Sequence, residues 1–432
     1  MTAWLASLRI YRRPRLLSVL FMGFSSGLPL PLTFATLSYW LAEAGVSRTD
    51  IGLFVLVGFS YNYKFLWSPF IDRLRIPLLT RLLGRRRSWA LLLQALLMVA
   101  IVLLGYTDPR TELARTALLA VLVAFLSASQ DIVIDAYRIE LLKPEEQGAG
   151  AAATQWGYRI GLLAAGAGAF YAADFGGWPL AYTVMALLMG VGMAAVLLTP
   201  EPGISVVRLK PGESWLRIFI LQPFIDFIER SGGRHALVIL LFIVLYKLGE
   251  AMAGVMANPL YQQLGFTKIE VANIAKLVGF FATLAGVAFG GLVVARLGLY
   301  RALLIGGLAQ MLSNLMYVAQ VFAGHDLRML AVSIFTENFT NGMGSAAFVA
   351  YLSNLCSVAF TATQYALFSS LAAVPTRLLS APAGHLADLL DWVSFFLLTT
   401  VAALPGLFVL LWLMRSKTGA SAKPVYSGSA QP

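Results

Sequence analysis

The sequence predicts an all-α membrane protein with twelve transmembrane helices in two six-helix halves. Three observations lead there. Of the 432 residues, 59% are hydrophobic and only 12% charged, about half the charged share of an ordinary soluble domain. Apolar runs long enough to cross a roughly 30 Å hydrocarbon core as helices recur along nearly the whole chain. The two halves also echo each other in short blocks of sequence. No stretch remains for a sizeable soluble domain.

In chain order the apolar runs lie near 15–42, 50–71, 88–106, 113–137, 148–173 and 178–198, then 235–262, 268–295, 300–321, 327–354, 361–386 and 392–414. The start, MTAWLASLRIYRRPR, places its basic residues after a short apolar patch, so a cleaved signal peptide is not expected. With both termini inside, the inner segments hold 22 of the 32 Lys and Arg, and the outer loops hold five. That asymmetry satisfies the positive-inside rule and sets the orientation. It also accounts for the net charge of +11, which on its own would suggest nucleic acid.

The longest stretch without a span reads as a linker carrying a surface-lying helix, SWLRIFILQPFIDFIER. It divides the chain into a first half (1–198), a cytoplasmic linker (199–234), a second half (235–414) and a cytoplasmic tail (415–432). The halves look duplicated. AGVSRTDIG after the first run parallels LGFTKIEVA after the seventh, so Gly45 answers Gly265, Arg48 answers Lys268 and Asp50 answers Glu270. IDRLRIPLLTRLLGRRR after the second run likewise takes the place of VARLGLYRALL after the eighth.

Two sixes with basic loops after the second span of each resemble the major facilitator superfamily. Asp72, Arg73 and the Gly84–Arg87 block supply pieces of that family's inner-loop motif, although ten residues separate Arg73 from Gly84; the second copy keeps Arg296, Gly298 and Arg301 but has Ala295 where an acid would sit. A sharper resemblance runs through GFSSGLPLPLT, YKFLWSPFIDR, GRRRSW, SASQDIVIDA, GYRIG, VLYKLGEA, NGMGSAAFVA and TATQYALFSSL. In order and spacing these blocks are similar to the AmpG-type muropeptide permeases of Gram-negative inner membranes. The resemblance implies proton-driven import of anhydro-muropeptides across the bacterial inner membrane, for peptidoglycan recycling and β-lactamase induction. Acetyl-coenzyme A transporters share weaker forms of two blocks and stand as the alternative, together with other bulky-anion carriers.

Charges within spans are functional candidates, because each costs roughly 2.5–3.5 kcal/mol at the bilayer centre unless it meets a partner or a cavity. By position along each run, Arg159, Lys247, Glu250 and Glu337 fall near the midplane. Lys64 and Asp131 lie somewhat inward, Lys276 outward, and Asp135 with Arg138 at the inner boundary. A stem peptide carries several carboxylates, which makes Lys64, Arg159 and Lys247 the anion-binding candidates. The competing reading neutralises each by a neighbouring acid: Lys247 by Glu250, and Arg159 by Asp131. Asp131, Glu250 and Glu337 are the proton-coupling candidates, since His235, His325 and His385 sit at span ends.

Asn338 and Asn341, in the glycine-rich segment after Glu337, suit sugar hydroxyls, although small residues there equally serve helix packing. Trp156, Tyr61 and Tyr158 lie deep enough to stack on a sugar, whereas Trp40, Trp67, Trp89 and Trp178 read as interfacial anchors. Pro29, Pro31, Pro375 and Pro382 should kink or loosen the first and eleventh spans. Asp72, Arg73, Asp135, Arg138, Arg296 and Arg301 are assigned to an inner gate.

Neither a nucleophile with its base nor a metal cluster is visible in three scattered histidines and one cysteine, Cys356, so no enzyme, metal or cofactor is expected. A channel is disfavoured by the paired halves. The expected setting is a monomer in the lipid bilayer that takes muropeptide and protons and no nucleic acid.

Overall fold

In the computed structural model the described residues are 11, 13–203, 221–374 and 382–416, and all their regular structure is helical. Pro375, Arg377 and residues 204–220 of the linker lie outside them, as do the side chains of Arg48, Lys268 and Lys276. Of the expected surface helix, the described part is Gln222–Ser231, whose two faces differ sharply in polarity. Among the described residues eight helices are long and apolar enough to cross a membrane, or nine if Leu327–Leu355 and Val358–Ala372, which meet at 95°, count as one bent span. The chain divides into two compact units. The first comprises Met1–Lys143, Ala153–Pro223 and Cys356–Ser370; the second comprises Pro144–Ala152, Phe224–Leu355 and Leu371–Pro432.

Within the first unit, Pro14–Glu43 is interrupted after its two prolines, at Phe34 (φ −126°, ψ −96°). The expected regular helix over 50–71 does not form. That stretch alternates short α and 3₁₀ turns, Arg48–Leu53, Phe54–Gly58, Phe59–Tyr63, Lys64–Leu66 and Ser68–Arg73. The cause is local: Gly52, Gly58, two valines and a run of aromatics are weak helix formers. Pro69 also has no N–H for the Phe65 carbonyl, which accepts instead from Ser68 Oγ at 3.0 Å.

Pro144–Leu198 continues as one 55-residue helical stretch. It carries a π turn at Ala164–Gly168 and a break at Gly176 and Gly177, the latter at φ +78°. Glycine faces press its 154–161 part onto Pro14–Glu43. A Cβ on Gly157 or Gly161 would run into the backbone of Leu20 or Phe24, and one on Gly23 or Gly27 into that of Thr154 or Tyr158. Small residues permit this close helix approach in lipid.

The second unit uses the same device, with Gly286 against Phe339 and Gly342 against Thr283. Gly233–Gln263 is broken at Lys247 (φ −103°, ψ 5°), which becomes the N-cap of Leu248–Gln263. A π turn at Ala275–Gly279 precedes Phe280–Leu297.

The duplication extends to hydrogen bonds. Gly45 and Gly265 have φ of +81° and +86°. After them Ser47 Oγ accepts from the Asp50 N–H at 3.1 Å, and Thr267 Oγ1 from the Glu270 N–H at 3.2 Å. Each carboxylate in turn accepts from its partner's hydroxyl, so both helices start from the same capping arrangement.

Candidate functional site

In the first unit the Asp131 carboxylate accepts a hydrogen bond from Ser26 Oγ. The neighbouring Gln130 Nε2 donates to the Ser25 carbonyl at 3.1 Å, and Trp67 Nε1 donates to Ser129 at 3.0 Å. Lys64, buried in its 3₁₀ turn, exerts its charge on both Asp131 and Asp135. Among the described residues, however, it has no carboxylate within ion-pairing distance. Tyr61 and Tyr158 both feel the Asp131 charge. Asn62 Oδ1, Gln130 Oε1 and Gln155 Nε2 are buried without a protein partner. Buried polar atoms of this kind are ordinarily satisfied by water or ligand.

The alternative pairing of Asp131 with Arg159 is not made. Ser26 occupies the carboxylate, and half-buried Arg159 has no ion pair among the described residues. Trp156 is half-buried close by in sequence.

The second unit differs. Lys247 Nζ lies 2.9 Å from Glu250 and donates to Ser345 Oγ at 2.7 Å. Ser345 donates to Asn341 Oδ1 at 3.2 Å, and Asn341 Nδ2 donates back to Glu250. The reading in which Lys247 is neutralised by Glu250 thus matches the geometry, and Asn341 is committed to the same ring. Glu337 accepts from Asn338 Nδ2 at 2.9 Å, while Asn338 Oδ1 accepts from Thr283 at 3.0 Å. The Glu337 charge also reaches Tyr261 and Tyr317.

The gate candidates of the first unit form two groups, one around Asp72 and one pairing Asp135 with Arg138. Arg86 spans Asp72 at 2.7 Å and Glu140 at 3.0 Å, and Arg85 donates to the Asp72 carbonyl. The second Asp72 oxygen accepts from the Thr363 N–H at 3.2 Å and its hydroxyl at 3.1 Å. Arg73 stacks over Phe360 at 4.6 Å and Arg138 over Tyr365 at 5.4 Å; Arg138 also pairs with Asp135 at 3.4 Å. Burial alone would push the Asp72 carboxyl up, but the Arg86 and Arg85 guanidiniums and the Thr363 N–H outweigh it and hold it below its usual range. Glu201 accepts the N–H groups of Arg86 and Arg87 at 2.8 and 3.0 Å, which caps the Arg85–Gly105 helix. Arg296 and Arg301, in the second unit, are exposed.

Ser26, Glu140, Glu201, Ser345 and Thr363 escaped the sequence reading. Ser26 sits in the quoted SSG block, but hydroxyls are common in helices. Thr363 meets an acid 291 residues away, which no local pattern signals. Among the described residues no group of three His, Cys, Asp or Glu could hold a metal ion.

Known proteins give this geometry a context. A family model described as acetyl-coenzyme A transporter 1 matches residues 15–113. The anhydromuropeptide permease of Escherichia coli K12 is 43% identical over 94% of this chain and 80% of its own length. A Rickettsia conorii protein named putative transporter AmpG 4 is 38% identical over 94% of this chain and 98% of its own. Among solved structures, the human organic anion transporter TETRAN aligns with a TM-score of 0.65 at 15% identity, over 93% of this chain and 99% of its own. The proton:xylose symporter XylE aligns at 0.64 with 12% identity, over 93% and 94%. The backbone therefore has the major facilitator fold, and the chain belongs to the AmpG-type anhydromuropeptide permease family, membrane transporters of the bacterial inner membrane and not enzymes.

Proposed function

We propose that this chain imports anhydro-muropeptides from periplasm to cytoplasm by proton symport and alternating access. It would work as a monomer of twelve spans with both termini cytoplasmic, serving peptidoglycan recycling and β-lactamase induction. The observation that carries the substrate is the 43% identity, over 94% of the chain, to a protein named for that cargo. The residues suit it. Arg159, a half-buried guanidinium without an ion pair among the described residues, is matched to a stem-peptide carboxylate it can grip bidentately. Trp156 and Tyr61 supply rings for the sugar. Asp131 is the foremost proton carrier: Ser26 binds it and Lys64 biases it without pairing. Glu250, ion-paired with Lys247, and Glu337, bonded to Asn338, stand behind it. One proton crossing the membrane yields about 2.3 kcal/mol per 100 mV, enough to concentrate a solute tens of times.

Uptake of a labelled anhydro-muropeptide into cells lacking their own permease, with and without a protonophore, tests the reading. Accumulation abolished by the protonophore is expected. No uptake refutes the substrate, and indifference to the protonophore refutes the coupling. Asp131→Asn should lose accumulation while keeping exchange of labelled for unlabelled substrate; equal loss of both would assign Asp131 to binding or folding. The match of residues 15–113 to an acetyl-coenzyme A transporter model favours one second reading, which competition by acetyl-coenzyme A in the same assay decides.

A further inference from the structure

The repeat sets a cavity in the second copy beside a ring-filled corner in the first. Aligned on Gly45 and Gly265, Glu43 answers Gln263 and Tyr39 answers Pro259. Aligned on Trp178 and Trp392, AADFGGW answers LADLLDW, so Asp174 answers Asp388 and Phe170 answers Gly384. The hydrogen bond at each corner is the same: Trp178 Nε1 donates to Glu43 at 2.7 Å and Trp392 Nε1 to Gln263 at 2.7 Å. The filling is not. In the first unit Tyr39 meets Phe170 edge-on at 4.9 Å, both rings lie close to Trp178, and Trp40 stacks on it at 5.5 Å. In the second unit a proline and a glycine stand where Tyr39 and Phe170 would be. A cavity of about 740 Å³ opens there, bordered by Met256, Pro259, Gln262, Gly384, Asp388 and Trp392.

The second corner keeps the tryptophan and its anchor and has lost the rings that would cover it. Trp392 stacks on Phe396 at 5.9 Å and 22° while also lining the cavity. Its ring is therefore held rigidly. Gln262 and Asp388 make no side-chain hydrogen bond or ion pair among the described residues, whereas Asp391 is used to cap Ser394. A fixed indole beside a free amide and a free carboxylate matches a saccharide: the apolar face of the ring lies on the aromatic, and the hydroxyl or acetamido groups reach the polar pair. The carboxylates disfavour the acidic stem peptide. We propose that this cavity, at the end of the second unit away from Arg296 and Arg301, binds the sugar moiety of the substrate as an outer recognition site. This rests on the muropeptide reading for the identity of the ligand.

The test titrates purified full-length protein in nanodiscs with two probes, the peptide-free GlcNAc-anhydroMurNAc disaccharide and the free stem peptide. Gly384→Phe places a ring where Phe170 stands in the other copy, and among the described residues a Cβ at Gly384 meets only the Met256 methyl at 3.9 Å. Asp388→Ala alters an exposed side chain and guards against misfolding. The wild type should bind the disaccharide, with about five- to tenfold weakening in Asp388→Ala, as for a lost hydrogen bond, and more in Gly384→Phe. The apparent KM for sugar-bearing substrate should rise in step at unchanged maximal rate. Equal disaccharide binding by wild type and both variants overturns the proposal, as does preferential loss of stem-peptide binding. Failure of the wild type to take up any muropeptide would refute the transport reading, yet disaccharide binding lost in Gly384→Phe would still support the cavity.

Discussion

The two turns that follow the second and eighth expected spans match in backbone and differ in chemistry. Gly84 (φ +89°, ψ 170°) and Gly298 (φ +80°, ψ 166°) each precede the first turn of a long helix in nearly one conformation. Around Gly84, Asp72, Arg85, Arg86 and Glu140 form a buried ionic cluster to which Thr363 is bound. Around Gly298 Ala295 stands where the acid would be, and Arg296 and Arg301 are exposed. The positive-φ glycine is what the sharp reversal requires, so both copies keep it. The charges are not required by the reversal. Where they persist, they do something else, and in the first unit they fasten the segment 356–370.

The comparison breaks most visibly at Asp72. Asp72→Asn removes a charge that two buried guanidiniums share, and breaking a buried ionic arrangement from one side costs about 3–5 kcal/mol. Thermal unfolding in detergent should drop accordingly, and uptake should be lost. Arg301→Ala, in the other copy, should stay within about 0.5 kcal/mol, as exposed changes do. Equal effects at the two positions would mean that the burial difference carries no consequence.

Glycines offer a second contrast, of intermediate size. Gly157→Ala drives a methyl group into the Leu20 carbonyl, and overpacking of this kind costs about 1–3 kcal/mol, since backbone cannot give way as a side chain does. At Gly166, in the π turn of the same stretch, a Cβ meets nothing within 4 Å, and alanine there should be neutral or stabilising by about 0.5–1 kcal/mol. The same unfolding assay separates them. A destabilised Gly166→Ala would show that the π turn itself needs glycine.

What the sequence discloses follows from what it encodes locally. The paired glycines and the Lys247–Glu250 spacing are short-range features, and each has a counterpart in the structure, as do eight or nine of the apolar runs among the described residues. The regular helix expected over 50–71 was not found because hydropathy cannot see that Pro69 and a run of weak helix formers split it. Partners far apart in sequence were also hidden. Asp131 reads as a mate for Arg159 by depth alone, and only the packed helices show that Ser26 reaches it first. The cavity at Trp392 was equally invisible, since it arises from two absent rings, Tyr39 and Phe170 in the other copy, and absence leaves no motif.

The smallest expected effect concerns pH, and it sharpens what the Asp72 cluster is for. Its arginines and the Thr363 N–H hold the carboxyl below its usual range despite burial. A group depressed in the folded state contributes stability that is fully present above its unfolded pKa, about 3.9, and is lost only as pH falls through the lower folded value. The stability difference between wild type and Asp72→Asn should therefore be flat from pH 5 to pH 8. Arg301→Ala should show a line equally flat and near zero. A slope for Asp72 inside that window would mean that it takes up protons at working pH, which would move it from fastening the 356–370 segment to carrying the coupling proton in place of Asp131.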